Sequence, residues 1–361
     1  MIGVATAYWL ARLGARPLLL ESRRLAWGAS GRNAGFMLAG SSPLEDPRLI
    51  REVLGEEAID AGYDEPGHLA LASSPAVLEK FREEAAGRPA AAAPLHALDR
   101  GACEELLGMR IDDRFAGGRW LPAAAAIDPA RFVYGLAAAA VRRGATLTVE
   151  TPALRLESER SGGVEIATAR GPVRAGRALV ACSAGSRHLL PLDGVITPVR
   201  GQMLSTAPLE RVFQIGLAVD WGTAYWRQAP DGVIVLGGCR SADPDAEVTA
   251  REALNPRVQV ALTAFLPAAF PDFPPFEVAR RWAGIMDETP DGRPIAGRWP
   301  DGSDRWVAAG FGGHGLPLAL GVGRSLAAAI LDGRDPDELE RLRPERFLEL
   351  AAAAGVGEAV R

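Results

Sequence analysis

Apolar positions along the chain follow two periods, and the alternation between them predicts its elements. Residues 1–21, MIGVATAYWLARLGARPLLLE, read as a helix with small residues at Gly3 and Ala7, a turn at Gly14, and an apolar run over 17–20 closed by Glu21. From 47 to 107 the pattern is helical and charged, with amphipathic pieces near 48–60, 74–86 and 99–107, interrupted by a Pro- and Ala-rich stretch over 88–94. A helix starts at Asp128-Pro129, with Asp as N-cap, Pro in the first turn, Arg142 and Arg143 in the last turn and Gly144 as the stop. Strands follow at about 146–151, 153–158, 164–169 and 177–182, with Ser161-Gly162-Gly163 as a hairpin turn. Between 196 and 289 the strands TPVRGQML, TAYWRQA, VIVLGGC and FEVARRWAGIM surround a helix near 256–268, an antiparallel sheet in expectation. Period-two alternation there puts Tyr225 and Arg227 on one face and Trp226 on the other. The chain closes with a strand, VAAG, a Gly-rich turn over 312–315, and a helix with Pro317 in its first turn.

Some of these elements carry recognisable chemistry. An acid closing a strand 18 positions after a helix glycine, Glu21 after Gly3, suits the second half of a dinucleotide-binding βαβ unit, where the carboxylate accepts hydrogen bonds from a ribose. Met1-Ile2-Gly3 supplies only the final x-x-G of the G-x-G-x-x-G fingerprint, so the expectation is a first strand and phosphate turn encoded upstream of Met1. The loop GASGRNAGF and the strand RALVACSAG, which ends at Gly185, are built from small residues that allow a ligand close to the backbone. The helix after Gly312-Gly313-His314-Gly315 presents unpaired N–H groups and a partial positive charge to whatever precedes it.

Composition narrows the partners. A chain of 361 residues with 48% hydrophobic content and a formal charge of −5 gives no reason to expect a nucleic-acid partner or a membrane span. Cys103, Cys182 and Cys239 are odd in number and lack C-x-x-C spacing, which argues against a disulfide framework or a metal site and favours a reducing, cytoplasmic setting. Lys80 is the only lysine among 40 basic residues.

The ordered set GVATAYWLARLGARPLLLE, GASGRNAGF, IDPARF, PVRGQM, VLGG, RRWAGIMDETPDGRPIAG and VAAGFGGHG resembles the FAD-dependent oxidoreductases of the D-amino-acid oxidase superfamily, in the glycine oxidase and sarcosine oxidase branch. The resemblance implies an α/β fold, α+β overall: a Rossmann-like FAD domain from residues 1–46, 125–192 and 290–361, and an antiparallel-sheet substrate domain from 47–124 and 193–289. It implies that Gly3, Glu21, Ala29, Ser30, Arg32, Asn33, Ala34, Gly35 and Gly185, with Gly312, Gly313, His314, Gly315 and Leu316, hold non-covalent FAD. Phe36, Arg200, Arg281 and Met286 are substrate-side candidates; His314, Tyr225 and Arg227 are candidates nearest the chemistry. His314 is either a pocket contact or a turn residue capping the helix, Tyr225 either pocket or core, and Arg200 either a substrate contact or a strand-end charge; Trp282 is read as packing and His68, His96 and His188 as structural.

The implied reaction is hydride removal from the carbon beside the nitrogen of an amino acid or N-alkyl amine, then imine hydrolysis and reoxidation by O2 or another acceptor. Oxidation of a hydroxyl-bearing carbon and a non-enzymatic paralogue are the alternatives, and oligomeric state is left open. Four positions depart from the family pattern. Met286 stands where related oxidases carry a carboxylate-clamping arginine, and Leu316-Pro317 where others place a lysine. Gly284 stands near the cysteine of covalent flavoproteins, and Val235 where a lysine activates oxygen.

Overall fold

The computed structural model describes residues 1–38, 42, 44–90, 92–159 and 162–347. Three helices form one layer of the α/β body. Ile2–Arg12 packs against both Pro129–Arg142 and Gly315–Asp332. The closest approach uses glycine: a Cβ on Gly323 would lie 2.8 Å from Ala5 Cβ and 3.0 Å from the Thr6 nitrogen. Trp9 then donates its indole N–H to Leu320 O at 3.1 Å across the same seam. Gly315–Asp332 is long and apolar enough to cross a membrane, but here it is a core helix, two-thirds buried. Asp128 caps its helix through the amides of Ala130 and Arg131, as the Asp-Pro signature predicts.

Two small sheets flank the N-terminus. Leu18–Leu20 pairs in parallel with Thr146–Thr148, and Ala178–Val180 in parallel with Arg305–Ala309, which also pairs antiparallel with Ile295–Arg298. Among the described residues the outer edges of Leu18–Leu20 and Ala178–Val180 have no strand partner. The N-terminal helix begins between them: a Cβ on Gly3 would lie 3.4 Å from Ala181 and 3.7 Å from Leu19. Ala153–Ser158, Val164–Thr168 and Gly171–Ala175 make a separate antiparallel meander. Of its expected hairpin turn, Ser161 lies outside the described residues, as does 348–361 of the expected third FAD segment.

The large sheet has eight strands in the order Val278–Glu288, Thr197–Thr206, Ile234–Gly238, Ala224–Gln228, Gly216–Val219, His68–Ala72, Gly117–Leu121, His96–Asp99. Two expectations need correction here. The 47–107 region is not helical throughout, because HLALA over 68–72 is a fully buried strand whose continuous apolar run shows no period-two signal. Nor is the sheet purely antiparallel: His68–Ala72 joins Gly216–Val219 in parallel, a pairing that follows a long excursion of chain.

Strand alternation gives this sheet two chemically distinct faces. Leu69, Leu204, Leu217, Trp226 and Leu236 lie under the helix Pro256–Ala269, in one apolar cluster. The other face carries one row in register, Trp282, Met203, Gly237, Tyr225, Ala218, Ala70, Arg119 and Ala97; its Trp282 end looks toward the helical layer, while Ala218, Ala70 and Arg119 lie under Phe81 of the helix Pro75–Ala86. Tyr225 and Trp226 therefore fall on opposite faces, as their alternation predicts.

Helix seam and open helix end should respond oppositely to the same substitution. Gly323→Ala forces backbone apart at Ala5 and is expected to destabilise by about 1–3 kcal/mol despite better helix propensity. Gly55→Ala, with nothing within 4 Å of the new methyl, should be neutral or stabilise by up to about 1 kcal/mol. Urea unfolding midpoints with unchanged slopes would show both effects.

Candidate active site

A cavity of about 1720 Å³ runs between the helical layer and the large sheet. That exceeds the ~300–1,000 Å³ usual for a drug-sized ligand and has room for a dinucleotide with a substrate beside it. Three helix starts open onto it: Ile2–Arg12, the single turn Ala29–Arg32, and Gly315–Asp332. None of the three has a side-chain cap on its first amides, so their N–H groups and positive dipole ends face the cavity.

Glu21 lies at the end of Leu18–Leu20. Its Oε1 accepts from the Arg23 amide at 2.8 Å and the Ser22 hydroxyl at 3.3 Å, so the carboxylate is held at the cavity wall. Asn33 organises the next loop: its Nδ2 donates to the Ala29 and Ser30 carbonyls, and its Oδ1 accepts from the Gly35 amide at 2.9 Å. Gly35 is required by geometry, with φ +79° and a hypothetical Cβ only 1.9 Å from Ile127 O. Ala29, Ser30, Asn33, Ala34, Gly35 and Phe36 all line the cavity, as do Gly3 and Gly185.

The Gly-rich turn closes the other side. Gly312 and Gly313 have positive φ (+53° and +87°); a Cβ on Gly312 would meet nothing within 4 Å, and one on Gly313 only Met286 Sδ. This open backbone, with Gly315 and Leu316, faces the cavity. His314 lines it too, with Nδ1 3.2 Å from Gly312 O and its backbone N–H bonded to Phe311 O; its side chain does not cap the helix. Asp287 fixes the turn from below. Its carboxylate accepts the Gly310 amide at 2.5 Å and its own carbonyl takes the Gly312 amide at 2.8 Å. Burial, only partly countered by these hydrogen bonds, pushes the Asp287 carboxyl up.

Four arginine assignments need correction, because each guanidinium is committed away from the cavity lining. Arg200 lies on the sheet's reverse face, where it forms a buried pair with Glu247 at 2.8 Å and reaches Ala246 O. Arg281, facing Leu204 on the same side, bonds Gln259 and Thr263 of the helix Pro256–Ala269. Arg32 reaches Ala283 O at 2.6 Å and pairs with Glu252, which also pairs with Arg23. Arg227 donates to the carbonyls of Ala34 and Ile127, so it positions the loop rather than facing the open space. Each error is one of strand facing or long-range partner, which the local pattern does not encode.

The remaining candidates meet at the cavity. Met286 lies beside Gly201 and Gly313, and Tyr225 contributes its ring while its hydroxyl contacts Met203 Sδ at 3.3 Å. Trp282 donates to Arg32 O at 2.9 Å, which packs the strand against the loop. Sequence reasoning misses three lining groups. Glu45 faces His314 and has its carboxyl pushed up by burial; its only signal is an acid before the Asp46-Pro47 helix start. His68, expected to be structural, is a buried lining residue whose imidazole burial holds at about 3, with the Arg119 cation adding to the effect. Arg119 itself stands on an edge-side strand that no motif marks.

Uncapped helix starts, an acid at a strand end and glycines with open Cβ space together form a cradle for a flavin dinucleotide. The chain belongs to the DAO family of FAD-dependent oxidoreductases, whose model matches residues 1–329. It is similar to human mitochondrial dimethylglycine dehydrogenase, 26% identical over 376 residues, covering 96% of this chain and 43% of that protein. The chain thus spans less than half the length of that relative. It is also similar to glycine oxidase of Bacillus licheniformis, 25% identical over 378 residues, covering 96% of this chain and 95% of that one. Glycine oxidase from Geobacillus kaustophilus has the same fold, with a TM-score of 0.80 at 23% identity over 95% of each chain. The cofactor of the family is FAD.

Loss of the strand-end carboxylate should be felt by the cofactor first. Glu21→Ala is expected to weaken FAD binding by about 1.5–3 kcal/mol without unfolding the chain, the value of a charge-assisted hydrogen bond. Flavin fluorescence titration beside a thermal melt measures both; an unchanged dissociation constant would remove Glu21 from the site.

Proposed function

We propose that this chain oxidises the carbon–nitrogen bond of an amino acid or N-alkyl amine, using non-covalently held FAD. The observation that carries the reading is the facing of two surfaces across one cavity: the uncapped helix start and open turn at 312–315, and the sheet face with Tyr225 and Met286. The relatives named above act, by their names, on dimethylglycine and glycine, which supports an amine rather than an alcohol.

Bound FAD supplies a two-electron acceptor. The protein's share is placement and electrostatics. N–H groups at the start of Gly315–Asp332 stabilise negative charge developing in front of them without an ionisable side chain. Phe36, Tyr225 and Met286 give the substrate an apolar, water-poor surface that fixes one face of its C–H bond. Amine oxidation needs a neutral nitrogen and an aligned C–H more than a dedicated base. Gly284 has no side chain to bond a flavin and packs near Ala29 and Arg32, which supports non-covalent binding.

The electron acceptor is O2 or another oxidant. Val235 occupies the strand where related oxidases place a lysine, and Lys80 lies on the helix Pro75–Ala86 over the Trp221 ring.

Arg200 is paired with a carboxylate, Arg227 with backbone carbonyls and Arg281 with the Gln259 amide oxygen and Thr263 hydroxyl, so none of them replaces the clamp absent at Met286 and Leu316-Pro317. Arg240 lines the cavity and its charge is felt by Tyr225, but it is paired with Glu288 at 3.1 Å, so a carboxylate next to the reacting carbon would lose water and have to compete with Glu288 for that cation. Glycine and sarcosine are therefore expected to reduce the bound flavin at least tenfold more slowly than bulkier N-alkyl amines in an anaerobic panel assay. Fast reduction by sarcosine would overturn the pocket reading, and reduction by 2-hydroxy acids but by no amine would overturn the amine reading.

A further inference from the structure

The chain leaves the strand Ile234–Gly238 through two residues of left-handed backbone. Gly238 has φ +107°, and a Cβ there would lie 2.4 Å from Thr223 O; Cys239 follows at φ +55°, its N–H donating to that same oxygen at 2.7 Å. A non-glycine residue in this region is strained and persists only where its surroundings fix it. The turn therefore delivers the next residue, Arg240, to a set position beside the start of the strand Ala224–Gln228, where it lines the cavity together with Tyr225. Burial pushes the Tyr225 hydroxyl up, and the Arg240 charge opposes that shift.

Arg240 is held by one contact. Its Nη1 donates to Glu288 Oε1 at 3.1 Å, and its side chain makes no other hydrogen bond among the described residues. Met286 and Glu288 are two positions apart on Val278–Glu288 and so share a face, the one that Met286 turns to the cavity. The strand Thr197–Thr206 lies between Val278–Glu288 and Ile234–Gly238, so the ion pair reaches across it on the cavity side; Gly201 of that strand lines the cavity too, and a Cβ on it would crowd Met286 Cε at 3.3 Å. The two charged side chains are 41% and 44% exposed. An ion pair this open to water is weak, because solvent screens it and two long side chains are immobilised to form it. Arg200 and Arg119 differ: Arg200 is sealed with Glu247 on the reverse face, and Arg119 gives one nitrogen to both oxygens of Glu84 against the Phe81 ring. Arg240 has an exchangeable partner, and its Nη2 and Nε are uncommitted, the edge that takes a carboxylate through two parallel hydrogen bonds.

We propose that Arg240 receives the carboxylate of the substrate and that Glu288 is a built-in competitor for it, so that this pair sets how readily the pocket admits an anionic amine. This rests on the amine-oxidation reading above. The expected weakness of small amino acids then has a cause inside the pocket: the cation they need is present but occupied. An amine without a carboxylate leaves the pair closed.

Two measurements on the FAD-loaded full chain separate this role from that of a plain surface ion pair. The first is calorimetric titration with butanoate, which has the chain length of sarcosine and no nitrogen to oxidise. Glu288→Gln is expected to bind it about fivefold more tightly than wild type, the scale of an exposed ion pair removed from competition. In an Arg240→Met background the same substitution should change the affinity by less than about twofold. The second is anaerobic flavin reduction by sarcosine and by N-methylethylamine, its counterpart without the carboxylate. Glu288→Gln should raise the sarcosine-to-amine ratio of kcat/KM by about fivefold, through KM, and Arg240→Met should remove that rise. An unchanged butanoate affinity in Glu288→Gln overturns the proposal, and so does a gain of equal size with and without Arg240, which is what general removal of a negative charge would give. Arg240-dependent butanoate binding with no flavin reduction by either compound keeps the carboxylate receptor and overturns the amine reading. If Glu288→Gln does not fold, Glu288→Asp, one methylene shorter and withdrawn from the contact with Arg240, decides by the same titrations in both backgrounds.

Discussion

The contact between Ile2–Arg12 and Gly315–Asp332 sets the geometry of everything else. Because Gly323 admits the backbone of Ala5 and Thr6, the two helices lie as close as their main chains allow. Their N-terminal ends then open together onto one space. Close-packed interiors do not yield locally, so a displacement here would be passed on to both helix starts. The polar groups of those starts are unsatisfied by side chains, and the fold tolerates this only where a ligand or water meets them.

The second ordering principle is the alternation of the large sheet. One face is sealed under Pro256–Ala269 by Trp226, Leu217 and Leu236; the other presents Gly201, Tyr225 and Met286 to the cavity, while Ala218 and Ala70 lie buried with Phe81. Small residues on a strand leave height above the backbone, and that height forms part of the cavity. The same rule explains why Arg200 and Met286 part company although they lie on neighbouring strands: Arg200 faces Ile285, one residue before Met286, and a one-residue offset reverses facing.

Much of the cofactor side is legible in the sequence because its signals are local. Glu21 after an apolar run, the Asn33-bonded loop, the Asp128-Pro129 start and the glycines before Gly315 each depend on a few adjacent residues, and each forms the expected element. The substrate side depends on pairings between distant segments. His68–Ala72 has no alternation to reveal it, and Gly117–Leu121 acquires its facing only through pairing with that strand. Arg119 and His68 accordingly carry no signal, and four arginines plausible by neighbourhood prove to be tied elsewhere. Thirty-nine of the basic residues being arginine makes such ties common, since arginine readily bridges backbone carbonyls as well as carboxylates.

Asp287 gives the arrangement a particular evolvability. By holding Gly310 through its carboxylate and Gly312 through its carbonyl, it welds the end of Val278–Glu288 to the turn that faces the cofactor. The electron-transfer half of the site is thereby anchored to the outermost strand of the sheet, while the row farther along is free of that duty. A cavity-lining side chain such as Tyr225, on another strand, can be exchanged without touching that weld. A scaffold divided in this way can acquire new substrates by point substitution while its redox machinery stays intact.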